Sequence, residues 1–402
     1  MESASKADSY WLVVLILATV VFRLALFDPF SLHEDEALYA AYATHIARTG
    51  DIFLDNWPHF PHDKHPLFFW LLGGVVRVFG STETSIRILG LAADIGSTAL
   101  VYLIGLRLGG LLAAVIAGTL YATSLLAGLH GLSVFIDPLT ITFGLAGILL
   151  ATHGRYAFSG VLLGPSVSMK LLAGLYVPTV GPYALAVGGS WAAVRVGLGL
   201  GGVVAVLFGP AVYNSAFGEG SFLGRGMQNQ KAGFNLAREW WLSKVEFFVN
   251  LFDWLFASWL IRALVYVGAL GGVLTLFSGP RSARWFVIGA ALSALLYYAG
   301  LSVISSPVYD RYFLYVIPLF ALVAGIGLSR IVALWPGERY HAALAPVFFI
   351  ALVFFAAPAA REKARAGIPF SALSRSAVFG GYVPLCNWLA DAADGRRVWN
   401  RS

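Results

Sequence analysis

Long apolar segments alternate with short polar ones along almost the whole chain. A helix needs about 20 apolar residues to cross a bilayer, and apolar stretches that can form such helices lie at 10–27, 85–106, 111–128, 138–152, 156–188, 196–213, 247–277, 285–303, 312–329 and 340–358. The stretch 156–188 is too long for one crossing and contains Lys170 and Pro178, so we divide it into two shorter helices. The pattern therefore predicts an all-α polytopic membrane protein with about eleven transmembrane helices.

The stretch 66–80 is shorter than most of the others, and the arginines decide whether it crosses the membrane or lies at its surface. With 66–80 at the interface and the N-terminus inside, each inner loop carries arginine: Arg107, Arg155, Arg195, Arg281 with Arg284, and Arg330 with Arg339. This arrangement satisfies the positive-inside rule. We therefore predict that 66–80 is interfacial and that 28–65, 214–245 and 359–402 lie on the outer side. Arg23 interrupts the first apolar segment, and we expect its side chain to extend to lipid headgroups.

Composition narrows the class of protein. Of the 402 residues, 58% are hydrophobic and only 12% are charged, whereas a soluble globular chain carries about 25% charged residues. These fractions exclude a soluble enzyme and a disordered chain, and they make membrane lipids the expected surroundings. The basic residues are scattered, so the net charge of +6 does not indicate a nucleic-acid partner. The single cysteine, Cys386, excludes an internal disulfide.

Acidic residues and histidines cluster in the first outer loop. Seven of the 21 acidic residues and five of the eight histidines fall within 28–65, so this segment belongs in water. The spacing of apolar residues in 33–49 predicts a short amphipathic helix lying on the membrane and ended by Gly50. Glu34–Glu36 suit the start of that helix because the helix dipole favours acidic groups there. Asp137, which precedes a proline, suits a helix start in the same way.

Four sequence segments occur in an order and spacing that are typical of one enzyme family. They are DEALYAAYATHIARTGDIF from Asp35, DKHPLFFWL from Asp63, RILG followed by the turn RLGG, and FIDPLTITF around Asp137. Together they resemble the polytopic glycosyltransferases related to the protein O-mannosyltransferases and the bacterial aminoarabinose transferase. These enzymes belong to the GT-C superfamily and use polyprenyl-phosphate sugars. The resemblance covers residues 10–330 and implies the GT-C fold.

Two later segments extend the resemblance, and other positions depart from it. SMK at 168–170 resembles a Thr-Lys-Gly segment of the family, and DRYF at 310–313 resembles the start of its late Arg-Tyr helix. Where the family has Lys-Pro-Pro, this chain has KHP at 64–66, and Asp63 stands where the aminoarabinose transferase has Glu. Many members carry a larger soluble domain after the last helix, whereas only the tail 359–402 follows here.

The resemblance implies a reaction and a set of residues for it. Family members transfer a sugar from a polyprenyl phosphate to an acceptor on the outer face of the membrane, and a single displacement inverts the anomeric centre. It implies that Asp35 is the base for the acceptor hydroxyl and that Asp137 is a second catalytic carboxylate facing it. The residues expected to bind substrate are Glu36, Tyr39, Asp63, Lys64, Lys170 and Arg311. Lys64 is expected to contact the donor phosphate, while Lys170 and Arg311 have lipid headgroups as an alternative partner.

The same resemblance gives a domain organisation and a location. The catalytic domain is expected to be 1–358, in the plasma (inner) membrane, with its active site on the extracytoplasmic side. A lipid, a glycan or a protein can be the acceptor, and mannose, aminoarabinose and arabinofuranose are all compatible as the sugar. The glycine-containing loop 214–245 is expected to close over the donor. The one cofactor that the residues suggest is a divalent metal ion, for which Asp63 and three neighbouring histidines offer ligands, although their spacing matches no zinc signature.

Two other functions are compatible with a polytopic chain. A transporter or flippase for a polyprenyl-linked glycan would need charges near the membrane midplane, and Asp94 is the only acidic residue clearly inside an apolar stretch of the first half. A non-catalytic member of the family would keep the fold but need not keep Asp35, Lys64 and Asp137 together. The clustering of acids in one outer loop favours the glycosyltransferase.

Overall fold

The structure, a computed structural model, describes residues 6–26, 34–52, 67–217, 256, 258–303, 310–334 and 339–366. The regular elements in these segments are helices, which confirms the predicted all-α class. The α-helices are α1 Lys6–Leu26, α2 Glu34–Thr49, α3 Leu67–Phe79, α4 Glu83–Ala122, α5 Leu125–Gly131, α6 Asp137–Thr152, α7 Tyr156–Met169, α8 Tyr176–Tyr183, α9 Ser190–Phe217, α10 Trp259–Ser278, α11 Arg281–Val303, α12 Ile317–Val332 and α13 Arg339–Ala366. Two 3₁₀ helices lie at Leu171–Leu175 and Asp310–Tyr315, and a π-helical turn lies at Ala184–Gly188.

Six of the described helical segments are long and apolar enough to cross a membrane. They are Asp8–Leu26, Glu83–Ala122, Leu171–Gly188, Ser190–Leu207, Trp259–Ser278 and Arg281–Leu301. Shorter apolar helices accompany them at Leu67–Phe79, Asp137–Thr152, Ile317–Val332 and Ala343–Ala356. These helices confirm a polytopic membrane protein, whereas the number of eleven crossings stays a prediction.

Helix α4 contains a reversal of chain direction within its 40 residues. Gly110 is non-helical, with φ 78° and ψ −173°, and a Cβ placed on Gly105 would lie 2.9 Å from the Cα of Ala114. In a continuous helix, two residues nine positions apart would be separated by about 13 Å. Helix α4 is therefore two antiparallel segments, 83–109 and 111–122, which meet at the Arg-Leu-Gly-Gly turn.

The apolar stretch 111–128 is not one helix, contrary to the prediction. Helix α4 ends at Ala122, and the side chain of Ser124 accepts a hydrogen bond from the backbone N–H of Ala127 at the start of α5. A serine at the N-cap favours the start of a new helix because its oxygen satisfies an N–H group that has no partner within the helix. The hydrophobic pattern did not show this break because the residues that follow the cap are again apolar.

The stretch 156–188 is divided into separate helices, as predicted, and the division lies at Lys170. Helix α7 ends at Met169, Lys170 has an extended backbone with φ −155° and ψ 119°, and a 3₁₀ helix follows. The extended backbone of Lys170 separates α7 from the 3₁₀ helix Leu171–Leu175.

Helices α2 and α3 form a pair at one end of the helix bundle. The predicted helix at 33–49 is confirmed as α2, and Gly50 ends it with φ 73° while its N–H donates to the carbonyl of Ile46 at 2.9 Å. The two helices approach closely at Gly73 of α3, where a Cβ would lie 3.2 Å from the carbonyl oxygen of Ala43. Helix α3 is about 20 Å long, shorter than the hydrocarbon core of about 30 Å. Its interfacial position stays a prediction.

The expectation that Arg23 extends to lipid headgroups is wrong. Its side chain is fully buried, and its Nε donates to Oδ2 of Asp94 at 2.6 Å while an Nη donates to the carbonyl of Ala122 at 2.5 Å. The hydroxyl of Tyr121 donates to the other carboxylate oxygen of Asp94 at 3.0 Å. A buried charge without a partner is very costly, so the pair explains how both residues sit inside apolar helices. Asp94 therefore connects α4 to α1. Because this structural role accounts for the buried carboxylate, Asp94 no longer favours the transporter alternative.

Arginines of the predicted inner loops gather at the other end of the bundle. Ser329 Oγ donates to the carbonyl of Gly109 at 3.5 Å, and Arg330 donates from Nε to Ser278 Oγ at 3.1 Å. Arg107 donates to the carbonyl of the last residue of α6 at 3.4 Å. These contacts bring together the α4 turn and the ends of α6, α10 and α12. This end lies about 40 Å along α4 from the α2–α3 pair.

Two predicted boundaries differ from the observed helices. Helix α13 continues to Ala366, beyond the predicted end of the catalytic domain at 358. Helix α9 continues to Phe217, into the predicted loop 214–245. The remainder of that loop and residues 367–402 lie outside the described residues, so the closing role of the loop stays a prediction.

Candidate functional site

Four segments that are far apart in the sequence meet at the α2–α3 end of the bundle. The starts of α2 and α6 contribute carboxylates, while Lys170 and the 3₁₀ helix Asp310–Tyr315 contribute cations. A buried apolar cluster holds α2 and α3 against the start of α6, and its members include Tyr39, Phe68, Phe69, Val134, Phe135 and Ile136. The packing therefore fixes the polar side chains of the site relative to each other.

Asp35 is paired with Arg311, a residue that lies 276 positions later in the chain. Nη1 of Arg311 donates to Oδ2 of Asp35 at 2.9 Å, and the side chains are 16% and 34% exposed, respectively. The guanidinium lies over the ring of Phe135, 4.7 Å from the ring centroid, which adds a cation–π contact. Asp35 is thus the more accessible of the two carboxylates that the structure places in ion pairs at the site.

Asp137 is buried and bound by two donors. Nζ of Lys170 donates to Oδ1 of Asp137 at 2.5 Å, and the hydroxyl of Tyr315 donates to the same oxygen at 2.9 Å. Asp137 is 1% exposed and Lys170 is 15% exposed. The ammonium group also lies 5.0 Å from the ring centroid of Tyr312. Asp137 therefore holds Lys170 in place, between the carboxylate and the tyrosine rings.

The surrounding charges shift the pKa values of Asp137 and of Arg311. Burial raises the pKa of Asp137, but Lys170 and Arg311 outweigh this effect and hold the pKa below its usual value. Burial lowers the pKa of Arg311, but Asp137 and Asp35 outweigh it and raise the pKa above its ordinary value. Both groups therefore stay charged at neutral pH, and Asp137 is poorly suited to accept a proton.

Glu36 and Tyr39 face the interior beneath α2. Glu36 is 3% exposed and accepts a hydrogen bond from the backbone N–H of Val134 at 2.8 Å. Tyr39 is 4% exposed, and its ring lies 5.9 Å from that of Phe68 and 5.4 Å from that of Phe69. These contacts favour a positioning role for both residues, because they hold α2 over the start of α6.

Two predicted site residues, Asp63 and Lys64, lie outside the described residues. The predicted ligands of a divalent ion, Asp63 and the histidines beside it, lie outside them as well. Among the residues that the structure describes, no group of three or more His, Cys, Asp or Glu side chains is arranged to hold a metal ion. The described part of the site contains ion pairs and aromatic rings.

Three aromatic residues of the site were not predicted from the sequence: Phe135, Tyr312 and Tyr315. Phe135 lies two residues before Asp137, and both tyrosines lie within the RYFLY segment that starts at Arg311. Their position beside predicted site residues was the only available signal. Their roles as ring partners and as a hydrogen-bond donor depend on packing between distant segments.

Comparisons with known proteins agree with this architecture. Residues 63–213 match the sequence model of the dolichyl-phosphate-mannose-protein mannosyltransferase family, a range that contains Asp137 and Lys170. The structure of ArnT from Cupriavidus metallidurans bound to undecaprenyl phosphate superposes with a TM-score of 0.61 over 97% of this chain and 80% of that chain, at 16% identity. The fold is that of the GT-C glycosyltransferases. The match over residues 63–213 and the shared fold agree with the resemblance that the sequence motifs indicate.

Two further solved structures share the GT-C fold with this chain. ArnT from Cupriavidus metallidurans in the apo state gives a TM-score of 0.62 at 16% identity, over 90% of this chain and 75% of that chain. The oligosaccharyltransferase AglB from Archaeoglobus fulgidus, in complex with an inhibitory peptide and a dolichol-phosphate, gives a TM-score of 0.56 at 13% identity, over 90% of this chain and 56% of that chain. A comparison with curated protein sequences gave no match.

Proposed function

We propose that this protein is an inverting glycosyltransferase that moves a sugar from a polyprenyl-phosphate donor to a hydroxyl group of an acceptor. The observation that carries the proposal is the convergence of two carboxylates and two cations at one end of a GT-C fold. Among the related structures, ArnT is bound to undecaprenyl phosphate and AglB is in complex with a dolichol-phosphate. Those ligands support a polyprenyl phosphate as the carrier of the donor sugar.

Asp35 is proposed as the base. Its carboxylate takes the proton of the acceptor hydroxyl while the acceptor oxygen forms a bond to the anomeric carbon. The bond between that carbon and the phosphate oxygen breaks, and its electron pair leaves with the polyprenyl phosphate. One displacement inverts the configuration of the anomeric carbon, as in other inverting sugar transfers.

The cations are proposed to bind the leaving phosphate. The phosphate changes from a diester to a monoester as it leaves and gains negative charge, so preorganised cations lower the barrier. Arg311 has the forked geometry that suits phosphate oxygens, and Lys170 is held in place by Asp137. When Arg311 turns from Asp35 to the phosphate, the carboxylate becomes available to the acceptor hydroxyl. Lys64 would add a further cation from the first outer loop.

The two ends of the bundle suggest a membrane orientation. Arginines of the predicted inner loops, among them Arg107 and Arg330, lie at the end opposite Asp35, and positively charged residues in short loops favour the cytoplasmic side. We therefore assign the site to the extracytoplasmic side of the plasma (inner) membrane, with a lipid, glycan or protein as acceptor. Residues 1–358 form the proposed catalytic domain.

The test measures release of polyprenyl phosphate from a panel of polyprenyl-phosphate sugars incubated with membranes that contain the protein. Wild type should release the carrier from one member of the panel in the presence of an acceptor. Asp35→Asn should lower turnover by about 10²–10⁴-fold, the usual contribution of a general base. Its unfolding temperature should stay close to that of wild type because the Asp35–Arg311 pair is partly exposed.

Asp51→Asn is the matched control. Asp51 follows α2 and contacts His45 at 3.3 Å, so the variant removes a carboxylate from the same region outside the Asp35–Arg311 pair. It should keep wild-type turnover. Wild-type turnover in Asp35→Asn would refute the assignment of the base, and the absence of release from every donor by folded wild type would refute the proposed function.

A further inference from the structure

A cavity lies at the end of the bundle opposite the candidate site. It has a volume of about 490 Å³ and lies between the α4 turn, the start of α11 and the ends of α10 and α12. Its walls include Leu108, Leu112 and Ile326, and Arg330 contributes to its lining. A volume of this size is in the range that holds small organic ligands. The walls and the arginine give the cavity an apolar part and a cationic part.

Arg330 is held in a defined position beside this cavity. Its Nε donates to Ser278 Oγ at 3.1 Å, and an Nη group donates to the carbonyl of the same residue. A guanidinium has five N–H donors, so these two bonds orient the group and leave donors for a ligand. Arg284, on the neighbouring helix α11, donates to the carbonyl of Gly279 at 2.8 Å. Arg284 and Arg330 thus bind two consecutive residues, Gly279 and Ser278, at the end of α10.

The chemistry of the cavity matches one class of molecule. Arg330 is the only charged residue among the described residues that line it, so an anionic ligand meets no opposing carboxylate there. The leucine and isoleucine walls suit a hydrocarbon chain. Basic pockets between transmembrane helices bind the headgroups of anionic lipids.

We propose that this cavity binds an anionic phospholipid, with the phosphate on Arg330 and the start of an acyl chain against the apolar walls. The site is separate from the Asp35–Arg311 pair, and it stands whether or not the chain transfers a sugar. The lipid would contact α4, α10, α11 and α12 at the end of the bundle opposite the candidate site.

The experiment uses the full-length protein, purified in detergent and stripped of lipid. Binding of phosphatidylglycerol and of phosphatidylcholine with the same acyl chains is compared by native mass spectrometry. Wild type should bind phosphatidylglycerol at least about fivefold more tightly, the effect expected of one arginine near an anionic headgroup. Arg330→Gln should remove this preference. Arg195→Gln, which removes a cation that lies over Trp191 and outside the cavity, should retain it.

Each remaining result counts against the proposal. Equal binding of the two lipids by wild type would overturn it, and this comparison needs no variant. Equal loss in Arg330→Gln and Arg195→Gln would show a general charge effect instead of a defined site. Free glycerol phosphate that binds as tightly as phosphatidylglycerol would assign the cavity to a soluble phosphate. Thermal unfolding of each variant without lipid checks that it is folded.

Discussion

At the residue scale, the pair of Asp137 and Lys170 contributes to stability and to the proposed chemistry in different ways. Asp137 is 1% exposed, so removal of Lys170 leaves a buried carboxylate without its closest cation. Breaking a buried ion pair by removing one partner costs about 3–5 kcal/mol, whereas replacing both partners is often close to neutral. The two roles can therefore be separated by removing first one partner and then both.

We expect Lys170→Met to lower the free energy of unfolding by about 3–5 kcal/mol. Adding Asp137→Asn should recover most of this loss, because the second change removes the buried charge. Turnover of the double variant should stay at least about tenfold below wild type, since the leaving phosphate has lost a cation. Thermal unfolding in detergent measures the first effect, and release of polyprenyl phosphate measures the second.

Recovery of both stability and turnover in the double variant would show that the pair is structural only. Failure to recover stability would show that Lys170 stabilises the fold through contacts other than Asp137. The ring of Tyr312, 5.0 Å from the ammonium group, is one such contact.

At the scale of single elements, the turn of α4 depends on one glycine. Gly110 has φ 78° and ψ −173°, a conformation that is essentially restricted to glycine. We expect Gly110→Ala to lower the free energy of unfolding by about 1–3 kcal/mol because of backbone strain. There is space for the added methyl group, since no atom lies within 4 Å of a Cβ placed there. A lowered unfolding temperature would therefore report strain and not a steric clash.

Gly197→Ala is the matched control for this prediction. Gly197 lies inside helix α9, and a Cβ on it would also meet no atom within 4 Å. Alanine is favoured over glycine in a helix by up to about 1 kcal/mol, so this variant should be as stable as wild type or more stable. Equal effects of the two substitutions would contradict the strain at Gly110.

The sequence predicted best those helices whose ends are determined by neighbouring residues in the chain. Helix α2 follows from its apolar spacing and from Gly50. The division of 156–188 follows from its excessive length, whereas the position of the break at Lys170 became known only from the structure. The pairing of Arg23 with Asp94 joins residues 71 positions apart. No local pattern identifies a partner so far away in the sequence. The sequence therefore predicted a lipid headgroup as the partner of Arg23, whereas the folded chain supplies the carboxylate of Asp94. The Asp35–Arg311 contact likewise became visible only in the folded chain.

At the scale of the whole molecule, two groups of charged residues lie at opposite ends of the helix bundle. Paired acids and cations lie at the α2–α3 end, and arginines such as Arg107 and Arg330 lie around the α4 turn. The segment 83–109 is long enough to cross a bilayer and connects the two ends. The proposed side of the reaction and the proposed lipid site therefore depend on the same orientation of α4.

Accessibility of single cysteines tests this orientation in intact cells. In a Cys386→Ser background, Ile52→Cys follows α2 at a position 43% exposed, and Arg107→Cys lies next to the α4 turn. A membrane-impermeant thiol reagent added outside should label Ile52→Cys, and it should label Arg107→Cys only after the membrane is opened. His153→Cys, which directly follows α6 at the same end as Arg107, should behave like Arg107→Cys. Labelling of all three from one side would mean that 83–109 does not cross the membrane, which would refute the predicted topology. Protection of Ile52→Cys from the external reagent would refute the outer position of the site.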